Sequence, residues 1–175
     1  MNKSLKFVSW FEIIGGTLAI AYSIFLAYVF QFSLPALVGA IVLTLAGVLS
    51  IFAGLMLLKF KKAGWYLSLL TQLIQLPVFS LGIALWRLGL GAFSAVGFDI
   101  PKISSAGGHF AALIEFNLGG SFLFSLGREL EEQYFAVNVV ALVLLCLLLI
   151  NRKSLTTPNP SIKRDALKRA PYVKR

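Results

Sequence analysis

Glu12 is the residue of this chain whose type and setting promise chemistry. It stands inside the apolar run FVSWFEIIGGTLAI, where a carboxylate at mid-span costs roughly 2.5 to 3.5 kcal/mol on insertion scales. A carboxyl kept in such a place ordinarily faces a partner or a cavity, and one that takes up and returns a proton is what a proton-coupled carrier needs. A structural account stands beside this one, because side chains tilt toward the helix N-terminus and a shallow Glu12 would reach headgroup water. Companions for Glu12 lie in a later run, where Gly64, Ser68, Thr71, Gln72 and Gln75 recur at helical spacing as a polar stripe. If both runs begin at one membrane face, Ser68 lies about as deep as Glu12 and Gln72 one turn further in. Glu12, Ser68, Gln72 and Gln75 are therefore the candidate proton or substrate site. The plainer role for the same residues is interhelical hydrogen bonding, which averages about 0.6 kcal/mol in a bundle.

The residues for other chemistries are missing. A single histidine, His109, and a single cysteine, Cys146, within VALVLLCLLLI, give neither a disulfide nor a spaced set of metal ligands. No serine sits in a nucleophile elbow and no phosphate-cradling glycine loop leads into a helix. Asp99, Glu115, Glu129, Glu131 and Glu132 follow no cation-loop spacing and read as a solvated face. The expectation is a non-enzyme with no cofactor and no metal.

The elements that must position Glu12 are long and apolar. Of 175 residues, 58% are hydrophobic and 13% charged, against about 25% charged in a soluble domain. Crossing about 30 Å of hydrocarbon takes roughly 20 apolar residues, and four runs qualify: 7–32, 35–58, 63–86 and 134–150. Pro35 suits a first helical turn, and Pro77 would kink the third run. The predicted fold class is an all-α membrane protein, a bundle of four transmembrane helices over residues 1–153.

Charge then sets orientation. Lys3, Lys6, Lys59, Lys61, Lys62, Arg152, Lys153, Lys163, Arg164, Lys168, Arg169, Lys174 and Arg175 fall on one face, against Arg87, Lys102 and Arg128 on the other. Positive charge is retained on the cytoplasmic side, so both termini and the 59–62 turn are expected there, with 87–133 extracytoplasmic. That placement accounts for the net charge of +9 without nucleic acid, for which no binding motif is present. Trp10, Trp65, Tyr66, Trp86 and Tyr134 fall near span ends, as an aromatic belt would.

Within the extracytoplasmic segment, residues 109–127 alternate Phe110, Ala112, Ile114, Phe116 and Leu118, then Phe122, Phe124 and Leu126, across Gly119 and Gly120. This pattern predicts a short β-hairpin, with an interfacial helix as the alternative. Small residues at Gly15, Gly16, Ala19, Ser23 and Ala27, and at Gly39, Ala46, Gly47, Ser50 and Gly54, form close-packing faces. They either join spans one and two within the chain or engage a second copy or another membrane partner. Asn138, near the outer end of the fourth run, reads as a packing or capping group. The last stretch, 154–175, is basic and proline-bearing with little to bury, and is expected to be a disordered cytoplasmic tail.

Two resemblances attach to these segments. PNPSIKRDALKRAPYVKR resembles the C-terminal extensions of proteins carried on bacterial integron gene cassettes, which implies a bacterial inner-membrane protein and says nothing about activity. WFEIIGGTL, nine residues around Glu12, resembles the first span of the small multidrug resistance exporters, whose membrane glutamate exchanges protons for lipophilic cations. The long 87–133 segment and the tail have no counterpart there. The leading expectation is an inner-membrane protein with the bilayer as its main partner and a packing or interaction role. The alternative is a proton-coupled exporter using Glu12.

Overall fold

The two long runs before residue 59 form helices α1 (Lys3–Val29) and α2 (Leu34–Leu58) in the computed structural model, which describes residues 3–59, 61–81, 84–99, 112–126 and 133–152. With 27 and 25 residues, they are about 40 and 38 Å long at 1.5 Å per residue. By length and composition both are long and apolar enough to cross a membrane, which points toward membrane association. Gln31 and Phe32 turn the chain between them in the left-handed region, at φ 50° and 56°.

The small-residue faces join these two helices to each other. A methyl group at Gly16 would lie 2.5 Å from the Gly47 carbonyl oxygen, and one at Gly54 2.6 Å from that of Ser9. Close approach then allows hydrogen bonding, with the Ser23 and Thr44 hydroxyls 2.7 Å apart and Ser50 Oγ donating to the Glu12 carbonyl at 3.0 Å. Gly16, Gly47 and Gly54 of the two small-residue faces are thus occupied within the chain.

Beyond residue 75 the expected four-helix, all-α bundle is overturned. Helix α3 (Lys62–Gln75) has 14 residues and helix α4 (Val139–Ile150) has 12, about 21 and 18 Å, short of a bilayer core of about 30 Å. Between them run strands β1 (Pro77–Leu81), β2 (Ala84–Asp99), β3 (Ala112–Leu126) and β4 (Tyr134–Asn138), all antiparallel. Only α1 and α2, among the described residues, are candidate spans. The predicted third span, 63–86, stays helical to Gln75. Pro77 ends the helix where a kink was expected, since it lacks an N–H and favours the first position of a strand. Strand β2 interleaves Trp86, Phe93, Val96 and Phe98 with Gly89, Gly91 and Gly97, a mixture that costs a helix and suits a curved strand. The predicted fourth span, 134–150, is extended to Asn138, whose Oδ1 accepts the Ala141 N–H at 3.3 Å and so caps α4 five residues later than expected.

The hairpin expected within 109–127 is also corrected, as is its interfacial-helix alternative. Strand β3 continues through Gly119 and Gly120 with no hairpin reversal and pairs along β2 from Ala84↔Leu126 to Phe98↔Ala112. Hydropathy divides β2 between a helix and a connector, which conceals a partner of matching length. Residues 109–111 and 127, and the tail 154–175, lie outside the described residues.

Strand β2 starts beside β1, ends beside β4, and β4 pairs back with β1. The three close into a ring around Val78, Phe93, Ala95 and Ala136, with β3 on the other edge of β2. Two further cores bind this sheet to the helices. Leu5, Val8, Leu57, Trp65, Leu144 and Leu148 bring all four helices together, and Ala19, Leu43, Leu88 and Leu90 pack the far halves of α1 and α2 on β2. The α1–α2 hairpin is therefore backed by α3 and α4 over one half and by the sheet over the other.

Candidate functional site

Helix α1 buries a stripe at three- and four-residue spacing, Leu5, Val8, Ser9, Glu12, Gly15, Gly16 and Ala19, and so turns Glu12 inward. The side chain is 1% exposed. Helix α3 faces it with its own buried stripe, Gly64, Ser68, Thr71, Gln72 and Gln75. Ser68 Oγ donates to Glu12 Oε2 at 2.7 Å and Gln72 Nε2 donates to Glu12 Oε1 at 3.1 Å. No basic side chain among the described residues forms an ion pair with it.

Of the four predicted site residues, three meet and one stands a turn away. Gln75 Nε2 donates to the Thr71 carbonyl at 3.0 Å, while its Oε1 accepts the backbone N–H of Leu90 at 2.9 Å. That N–H belongs to the stretch of β2 between its pairings with β1 and β4, which end at Trp86 and resume at Ala95. Gln75 thus supplies the acceptor that the sheet lacks there. The gap bounded by Glu12, Gln72, Gln75, Leu90 and Ala141 leaves no room for a water molecule. Chemically, the arrangement ties α1 to α2 and α3, and Gln75 ties α3 to the sheet.

A second polar group escapes the sequence, which sets Arg87 among solvent-side positives and Glu115 in a solvated acidic face. Arg87 forms an ion pair with Glu115, donates from Nε to Ser121 Oγ at 2.8 Å, and lies 4.7 Å from the centre of the Phe93 ring. Its side chain is only 12% exposed. These residues belong to a strand ribbon that the helix reading conceals, and the bend of that ribbon, not its register, brings Arg87 to Glu115. Arg87 and Ser121 border a groove of about 480 Å³ between β3 and the far ends of α1 and α2. Asp99 lies on β2, whereas His109, Glu129, Glu131 and Glu132 lie outside the described residues. Among the described residues no group of three potential metal ligands forms.

Compared with family models, curated proteins and solved structures, the chain matches none of them.

Proposed function

We propose that this chain is a multi-pass inner-membrane protein, both termini cytoplasmic, that acts by packing and interaction within the bilayer and not by catalysis. The observation carrying this reading is the closure of Glu12: both carboxylate oxygens accept protein donors, and the adjoining gap has no room for a water molecule. An exporter needs its acid open to cargo and to each face in turn, whereas a packing group needs its oxygens satisfied. Orientation is supported by charge. Lys3, Lys6, Lys59, Lys61, Lys62 and Arg152 lie at the end of the molecule formed by the start of α1, the α2–α3 turn and the close of α4. Arg152 there stacks on Trp65 at 5.5 Å, and Trp65 Nε1 donates to the Leu148 carbonyl at 3.0 Å.

The test is proton release from the purified protein, and flux in proteoliposomes, on adding lipophilic cations, comparing wild type with Glu12→Gln. The packing reading expects neither signal from folded wild type. Release and flux present in wild type and lost in Glu12→Gln would replace it with the exporter.

A further inference from the structure

The groove beside Arg87 has one apolar wall and one polar wall. Leu26 of α1 with Ala40 and Leu43 of α2 line the first, and Arg87, Asn117 and Ser121 of the ribbon line the second. Its volume of about 480 Å³ falls within the roughly 300 to 1,000 Å³ of small-molecule sites. Phe30, which also lines it, is exposed on the apolar surface beside the end of α1, so the groove opens where lipid would lie.

We propose that this groove binds a neutral acyl ester, a monoacylglycerol-like amphiphile drawn from the membrane, with the chain along α1 and α2 and an ester carbonyl on Arg87. Charge decides the class. Glu115 already neutralises Arg87, so the polar wall carries no net charge and gives a carboxylate ligand no unpaired cation. The guanidinium has five N–H donors, and two are committed among the described residues, to Ser121 and Glu115. A carbonyl oxygen accepts from the others without bringing charge into an apolar setting, where an unpaired ion is costly. The inference rests on the membrane reading above, since the bilayer is the source of the ligand.

The experiment is native mass spectrometry of the full chain in detergent, titrated with monoolein and, separately, with oleate. Wild type should retain one monoolein at least about tenfold more tightly than oleate, because the carboxylate brings an uncompensated charge into the apolar groove. Gly39→Leu should lose that binding: the first atom added there meets only Phe122, at an ordinary 3.7 Å, so the side chain grows into the groove. Glu115→Gln, which exposes the charge of Arg87, should turn the preference toward oleate. Equal or tighter oleate binding by wild type, undiminished monoolein binding by Gly39→Leu, or an unchanged preference in Glu115→Gln would each overturn the proposal. Alkaline carbonate extraction separates the two levels of failure. A protein that needs detergent yet binds no monoolein refutes the groove alone, and one released by carbonate refutes the membrane reading beneath it.

Discussion

Arg87 pairs with Glu115 although the β2–β3 register sets them far apart. Arg87 faces Leu123 and Glu115 faces Ala95, and 123 less 115 is eight positions, about 26 Å along a straight strand. Their contact requires the ribbon to fold back on itself. The bend falls where glycines face each other, with Gly91, at φ 83°, opposite Gly119 and Leu90 opposite Gly120. A β-carbon at Gly91 would sit 2.6 Å from the Gly15 α-carbon, so the bent strand also lies directly on the backbone of α1.

Gly91→Ala should therefore be among the more damaging small substitutions. A non-glycine residue in the left-handed region costs about 1 to 2 kcal/mol, and overpacking against α1 adds about 1 to 3 kcal/mol. Gly39→Ala, whose new atom has room beside Phe122, should stay within about 0.5 kcal/mol. Unfolding of both variants in detergent checks this, and equal stabilities would show that the ribbon is not held at Gly91.

Gln75→Met keeps the shape of the side chain and removes both its donor and its acceptor. The Leu90 N–H is then buried without a partner, a loss of about 1 to 3 kcal/mol, and its amide hydrogen should exchange faster than those of β2 paired with β3. Unchanged exchange at Leu90 would mean that another acceptor serves the gap between β1 and β4.

Trp65→Phe tests the basic end. It removes the hydrogen bond to the Leu148 carbonyl while leaving an aromatic ring near Arg152. The expected cost is about 1 kcal/mol in detergent unfolding. No loss would show that this carbonyl, close to the C-terminal end of α4, finds an equivalent donor when Trp65 is gone.

The pairing of Glu12 with Ser68 and Gln72 is legible in the sequence because it depends on helical period and depth alone, and α1 and α3 are regular across these positions. Hydropathy fails beyond Gln75 for a physical reason. An apolar strand and an apolar span bury the same residue types, and LPVFSLGIALW passes as either until Pro77 and the pairing partners of β1 and β2 are considered. Those of β1 lie up to sixty positions away, at Tyr134–Val137, where no local pattern announces them. The same blindness makes Gly119–Gly120 a turn. A glycine pair marks a place where the backbone bends, and only the facing Gly91 tells that the whole ribbon bends there.

Glu12 separates the two functional readings through two substitutions of different character. In Glu12→Gln, the new carbonyl accepts from Ser68, and Gln72 can turn its amide to accept from the new nitrogen, so both hydrogen bonds survive. Stability should stay within about 1 kcal/mol of wild type. In Glu12→Leu, the Ser68 hydroxyl and the Gln72 amide are buried facing methyl groups, and the expected loss is about 2 kcal/mol or more. This ordering, Gln mild and Leu severe with no cation-driven proton release in any variant, is what a helix-joining group produces. A carrier reverses the weight: Glu12→Gln would fold normally and lose proton release that wild type displays. Stability and release measured on the same three preparations decide between them, because only titration of residue 12, and not its hydrogen bonding, distinguishes Glu from Gln.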